Sequence, residues 1–353
     1  MKHCSDTDVC MQMEGLPPSS VDTIKRSWAR SRAAGLARDT APHFPPLSAY
    51  HHLIKHPEAR HLIHTGRGAL ERLWSAFGGK DWTIYLVSTS GVILHALKER
   101  HAGAEVKPLE AGRRMHENDI GTTAPACSFA ESKPMVLLGD QHYLESFGQM
   151  TCLSVPVHGE DGNVAAILGM TGKGQRPLGL MMEHFQLGAY QVETALFAHQ
   201  MTGQIIRLDY QSGNRDTARA GFLAINDSGY VSGANRVARI MVGLPLQGKL
   251  APVPIYQLLG ARQERRVERL LKGQPNQRLQ LLDGARVFAS SVRSPGRKYA
   301  IGPKRIIPSD LKQSANELIK ERLDDNGGNV SRTARELNIS RNTLYKRLRE
   351  GDG

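Results

Sequence analysis

The stretch NGGNVSRTARELNISRNTLYKRLRE, residues 326 to 350, has the punctuation of two short helices around a tight turn. Asn329 stands where a helix N-cap belongs, and Val330, Ala334 and Leu337 recur at helical spacing to give the first helix an inner face. Asn338 tolerates the positive φ of a tight turn. Ser340 is placed to cap the second helix, with Ile339 opposite Leu344 as a hydrophobic staple. Leu344 and Leu348 then face inward and leave Arg341, Asn342, Tyr345, Lys346, Arg347 and Arg349 outside. Two helices so joined, the second dense in basic and amide groups, form a helix-turn-helix suited to the major groove of DNA. There Arg341 could donate two hydrogen bonds to guanine and Asn342 could read adenine, while Thr343 and Tyr345 reach phosphate or a thymine methyl. Just upstream, Leu311, Ala315, Leu318, Ile319 and Leu323 predict an amphipathic helix that Gly327-Gly328 ends with a left-handed cap.

Working outward, the charge agrees with a polyanionic partner: net +12 with a pI of about 9.7. Between Arg262 and Arg305 stand twelve Lys or Arg against Glu264, Glu268 and Asp283. This surplus fits either a nucleic-acid surface or the solvated face of the amphipathic stretch ARQERRVERLLKG. No apolar run approaches the ~20 residues that span a bilayer, and MKHCSDTDVCMQ lacks the apolar core of a signal peptide. Four cysteines do not make a disulfide framework in a chain of 353 residues. The expected setting is the cytoplasm, at the nucleoid, with no membrane contact.

The pattern divides the chain into a multi-domain α+β protein. Residues 1–20 are expected to be disordered. Residues 21–207 carry helices, strand pairs at DWTIYLVSTSGVILHAL and TCLSVPV…NVAAILGM, and a long helix from Leu178 to about Arg207. A smaller α+β unit spans 218–293: Phe222–Ile225 and Tyr230–Ser232 read as strands around the turn Asp227-Ser228-Gly229, Asn235 opens a helix, and RVFASSV is a later strand. Residues 294–308 form a basic linker and 309–350 the all-α helix-turn-helix.

NGGNVSRTARELNISRNTLYKRL resembles the Fis-type helix-turn-helix of bacterial enhancer-binding regulators. The resemblance implies a dimer and DNA contacts at Ser340, Arg341, Thr343, Tyr345, Lys346 and Arg347. IKRSWARSRAAGL at 24–36 and the segment 116–172 resemble the GAF sensor of the acetoin catabolism regulator group, through Ile120 to Ala124, Gly139, His142, Tyr143, Thr151, Cys152 and Pro156. Thr123, Pro125 and Ala126 depart from that group's pattern. The likeness implies an effector pocket, for which Glu117, Thr122, Cys127, His142, Tyr143 and Cys152 are the expected residues. The 218–293 unit resembles a PAS domain through Gly221, Asp227, Gly229 and Asn235. Regulators with this front and tail carry an AAA+ ATPase between them. No Gly-x-x-x-x-Gly-Lys-(Ser/Thr) loop occurs here, so no ATP hydrolysis is expected.

Other chemistry is set aside on the same grounds. The pairs His52/His56 and His61/His64 have helix-face spacing but no carboxylate or cysteine in register, so no metal is expected. Cys127 and Cys152 lie in apolar stretches, where a thiol is ordinarily a small hydrophobe rather than a redox switch. No catalytic constellation appears; neither an enzyme nor a cofactor is expected. The sequence thus predicts a dimeric regulator that binds double-stranded DNA, takes a small effector in the GAF unit, and contacts RNA polymerase or a related regulator. The alternative is an architectural or co-regulatory protein that pairs with, or antagonises, an ATPase-bearing relative.

Overall fold

A computed structural model of the chain describes residues 21–293, apart from 105, 175, 202, 214–217 and 260–262, together with residues 323, 326–336, 341 and 344. Two antiparallel sheets organise it. The first has five strands in the order β2-β1-β5-β4-β3: β1 Trp82–Ser88, β2 Ile93–Lys98, β3 Met135–Leu138, β4 Met150–His158 and β5 Val164–Lys173. Both of its faces are covered. Trp82, Ile84 and Leu86 of β1 point into a core with two long helices, Pro57–Phe77 (α3) and Leu178–Gln200 (α6). The alternate residues Tyr85 and Val87 point the other way, into a second core closed by loops. This two-sided burial explains why β1, WTIYLVS, is a nearly unbroken apolar run.

The loop-covered face also carries a helix, Val21–Ala33 (α1), with an unusual buried stripe: Thr23, Ser27 and Ser31 at successive turns. A short helix Tyr50–Lys55 (α2) precedes α3, and Glu117–Ile120 (α4) and Ala124–Glu131 (α5) sit between β2 and β3.

The second sheet has six strands, β10-β11-β6-β7-β8-β9. They are β6 Gln204–Asp209, β7 Gly221–Ile225, β8 Tyr230–Ala234, β9 Val253–Pro254, β10 Gln277–Gln280 and β11 Arg286–Arg293. Arg236–Met241 (α7), Ile255–Leu259 (α8) and Glu264–Leu271 (α9) cover it. Asn235 caps α7, its Oδ1 accepting from Ala238 N at 2.9 Å.

One boundary differs from the sequence expectation. The helix begun at Leu178 ends at Gln200, and the residues up to about Arg207 that were read as its continuation belong instead to a central strand of the second sheet, Gln204–Asp209. Gly203, at φ +96°, makes the break, and Ile205, Ile206 and Leu208 are buried between β7 and β11. The second unit therefore starts upstream of the expected 218.

The N-cap predicted for the helix-turn-helix is present: Arg332 N donates to Asn329 Oδ1 at 3.0 Å at the start of Val330–Glu336 (α10). Gly327 and Gly328 both have positive φ, and Gly328 N donates back to Leu323 O at 2.8 Å, closing a left-handed cap. The expected disordered segment 1–20, the basic linker and the helix of 310–324, except Leu323, lie outside the described residues.

Candidate functional site: a neutral cavity, a polar clasp and a seam

Beneath the loop-covered face lies a cavity of about 20 Å³, lined by Phe44, Leu109, Met115, Ile120, Thr123, His142, Phe147, Met150, Cys152 and Thr171. Its walls come from distant parts of the chain: β4 supplies Met150 and Cys152, β5 supplies Thr171, and the loop after β3 supplies His142 and Phe147. Gly139, at φ +46°, begins that loop; a Cβ there would sit 3.0 Å from Gly148 O.

His142 is 1% exposed. Its Nδ1 lies 2.9 Å from the Gly139 carbonyl, which can only accept, so Nδ1 carries the proton. Nε2 is then a bare acceptor, and among the described residues it has no hydrogen-bond partner. Burial pushes the ring's pKa down to about 4, against the smaller opposing effect of the Gly139 hydrogen bond. At neutral pH the His142 ring that lines the cavity is therefore uncharged. Thr171 Oγ1 is shared between Tyr85 OH at 2.7 Å and Cys152 Sγ at 3.1 Å. Burial raises the Cys152 thiol to about 12 and Cys127 to about 11, so both are protonated and poorly nucleophilic.

The six residues expected in the pocket separate into different places. His142 and Cys152 line the cavity, and Cys127 packs with Cys152 in an adjoining apolar cluster. Glu117 and Thr122 instead meet α1. Arg30 binds Glu117 through Nε at 2.6 Å and Nη2 at 3.1 Å, which raises the Arg30 pKa. Ser27 Oγ donates to Glu117 and lies 2.9 Å from Thr122 Oγ1. Tyr143 belongs to the same clasp: its hydroxyl donates to Leu36 O at 2.7 Å, and its ring meets Trp28 edge-on. Trp28 Nε1 in turn donates to Gln141 O at 3.0 Å, so α1 straps the loop that holds His142. Phe44, Leu109, Met115, Ile120, Phe147, Met150 and Thr171 were not anticipated as lining, and neither was Thr123.

Strand β4 runs from the cavity to the second unit. At the strand rise of about 3.3 Å per residue, Cys152 and His158 are about 20 Å apart. His158 Nδ1 donates to Glu193 Oε1 of α6 at 2.9 Å, and Nε2 accepts from Arg236 of α7 at 3.3 Å. Nearby, Arg239 is 1% exposed and donates to Ala234 O, Pro245 O, Gly248 O and, across the seam, Glu160 O at 2.7 Å. Gly162, at φ +75°, lies so close to Leu246 O that a Cβ would come within 2.0 Å of it. Asn235 Nδ2 reaches Thr194 of α6 at 3.3 Å.

In the helix-turn-helix, Arg341 is exposed and Leu344 fully buried, as an outward Arg341 and an inward Leu344 require; Ile339, the other half of the expected staple, lies outside the described residues. Ala334 and Thr333 are buried as well. Ser340, Asn342, Thr343, Tyr345, Lys346 and Arg347 lie outside the described residues. Among the described residues no group of three or more His, Cys, Asp or Glu could hold a metal, and no helix is long and apolar enough to cross a membrane.

Comparison with known proteins agrees with these parts. Residues 61–196 match the GAF domain, and residues 315–351 match the bacterial regulatory protein, Fis family. A signal-transduction and transcriptional-control protein of Clostridium beijerinckii is 26% identical over 185 residues, 50% of this chain and 28% of its own length. The acetoin catabolism regulatory protein of Cupriavidus necator is 25% identical over 206 residues, 56% of this chain and 30% of its own. The chain thus spans less than a third of the length of these relatives. Among solved structures, the E. coli DhaR(N)–DhaL complex aligns with a TM-score of 0.45 at 13% identity, over 77% of this chain and 99% of that one. The chain carries a GAF domain and a Fis-family regulatory helix-turn-helix, and it is similar in sequence to transcriptional regulators of acetoin catabolism.

Proposed function

We propose that the chain is an effector-responsive regulator of transcription that binds double-stranded DNA as a homodimer. The GAF cavity takes a small uncharged molecule bearing a hydroxyl group, which donates to His142 Nε2. The observation that carries this is the buried, unpartnered acceptor in an apolar cavity. An unpaired buried acceptor costs about 1–3 kcal/mol, and a ligand donor would recover that. A charged effector is disfavoured, because no ionised side chain lines the cavity. At about 20 Å³ the cavity holds a single water, so a larger guest must displace its flexible walls, Met115, Met150 and Phe147.

The displacement is carried along β4 to His158 and along α6 to the second unit. That unit serves as a PAS-like dimerisation element and sets the separation of two recognition helices. Ser340, Arg341, Asn342, Thr343, Tyr345, Lys346 and Arg347 form the DNA-contacting face. The chain acts in the cytoplasm and without ATP hydrolysis, either by occluding a promoter or by contacting RNA polymerase or a related regulator.

A thermal-shift series tests the ligand. Acetoin, suggested by the relatives' names, and other neutral C3 to C5 hydroxy compounds are the first probes, with the matching carboxylates as controls. The expected result is stabilisation by a neutral hydroxy compound that His142→Phe abolishes. Stabilisation by carboxylates instead, or an effect that survives His142→Phe, would contradict the proposal.

A further inference from the structure

The second unit carries an open groove of about 730 Å³ that the effector pathway does not use. Helix α9, the edge strand β10 and the start of β11 form it, with Arg265, Arg266, Arg278 and Arg286 along its walls. All four arginines are exposed, and among the described residues none of them forms an ion pair. One carboxylate, Glu264, shares the lining. The groove is a built feature: Gln263 donates to Gln280 O at 2.7 Å and accepts from Gln280 N at 2.9 Å, pinning the start of α9 to the sheet edge. Arg266 donates to Arg278 O at 3.0 Å, and the Arg278 guanidinium lies over Phe288, 5.4 Å from the ring centre. Two of the four cations are thus held in place while their remaining donors face solvent.

We propose that this groove binds the phosphate backbone of duplex DNA flanking the site that the helix-turn-helix reads. Arginine forks suit phosphate oxygens, and four unpaired cations in one groove match a polyanion better than a single small anion. Proximity favours DNA over an acidic protein. β11, which forms one wall, ends at Arg293, and the Fis-family element begins at residue 315. The intervening residues 294–314 span at most about 70 Å when extended, the length of about 20 bp, so any DNA held by the helix-turn-helix lies within reach. The proposal rests on the DNA-reading role of that element.

The test uses the full chain and a duplex sequence it selects from a random pool, placed in duplexes of about 20 bp and about 40 bp. Affinity is measured against salt concentration for wild type and for R265Q/R266Q/R278Q/R286Q. A charge-matched control, K25Q/R60Q/R100Q/K133Q, removes four exposed cations elsewhere in the chain. Wild type should bind the longer duplex at least about 10-fold more tightly, and the groove variant should lose that advantage. The variant's slope of log K against log salt should also be shallower by up to about 3.6, near 0.9 per lost phosphate contact. The control should change neither. Arg341→Ala separates the two claims: it should lower sequence preference yet keep the advantage of the longer duplex. Equal slopes and length dependence for the groove variant and wild type overturn the proposal, as an acidic-protein partner for the groove would require. Equal loss in groove variant and control overturns it too, by showing a general charge effect. If wild type binds no duplex, the DNA-reading role fails and the groove proposal fails with it.

Discussion

His142 joins stability, pH and ligand chemistry at one side chain. In the folded chain its ring resists protonation down to about pH 4, whereas an unperturbed imidazole takes its proton near 6.5. Between those values the unfolded state binds more protons, so stability falls as pH drops through that window and is intact above it. His142→Gln removes this term. Urea midpoints at pH 7.5 and pH 5 should show wild type losing more stability than the variant on acidification, by an amount on the order of 1–2 kcal/mol. Equal losses would mean that the ring is hydrated or protonated when folded. The motif GDQHY made His142 legible in the sequence as a marked residue, but not its role. The apolar lining was illegible, because Phe44, Leu109 and Met115 meet only through tertiary folding and no local period distinguishes them from other core residues. Glu117 and Thr122 were expected in the pocket through the GAF likeness, which does not show what else they touch. Their partners Ser27, Arg30 and Ser31 lie about ninety residues upstream, on a helix that no local signal ties to Glu117 or Thr122.

At the scale of elements, the seam between the two sheets is held by polar contacts that require close approach. Arg239 supplies donors to four backbone carbonyls, one of them across the seam. Arg239→Ala empties the place of a side chain only 1% exposed and strips four carbonyls, that of buried Ala234 among them, of their donor, and should cost about 3 kcal/mol in urea unfolding. A loss below about 1 kcal/mol would show that water replaces the guanidinium. Gly162 provides a matched test. Gly162 and Gly174 both have positive φ, but only at Gly162 would a Cβ meet another atom, Leu246 O. Gly162→Ala should therefore be more destabilising than Gly174→Ala by about 2 kcal/mol or more, since backbone strain is common to both. Similar losses would show that the two units can part at little cost. Four of the five strands of the first sheet were legible from their apolar runs; β3, the four-residue edge strand MVLL, was not. β6 was not: its QIIRLD follows a helix whose apolar spacing its own isoleucines prolong, and the signal to stop, Gly203, is a single residue. β9 and β10 are short and lie at the two edges of their sheet, where few apolar residues are needed.

Over the whole molecule, cavity, seam and DNA-reading element follow one another along the chain. Strand β4 begins at the cavity and ends at His158 in the seam, and α6 packs on the first sheet while its last turn, at Phe197, packs on the second. Neither element can shift without moving a contact of the other unit, which is the physical basis of the proposed coupling. The helix-turn-helix was the most legible part of the sequence, since caps, turn and staple are local signals. Asn329, Gly327-Gly328, Ala334 and Leu344 occupy the roles those signals gave them. The central claim, sequence reading through the helix that carries Arg341, is tested most directly by one ratio. That ratio is the affinity of the full chain for its selected duplex over its affinity for a random duplex, at one salt concentration, in wild type and in Arg341→Ala. Loss of one bidentate base contact is worth about 1–3 kcal/mol, so the account predicts that the ratio falls by about 5- to 150-fold. A ratio unchanged by Arg341→Ala would contradict it.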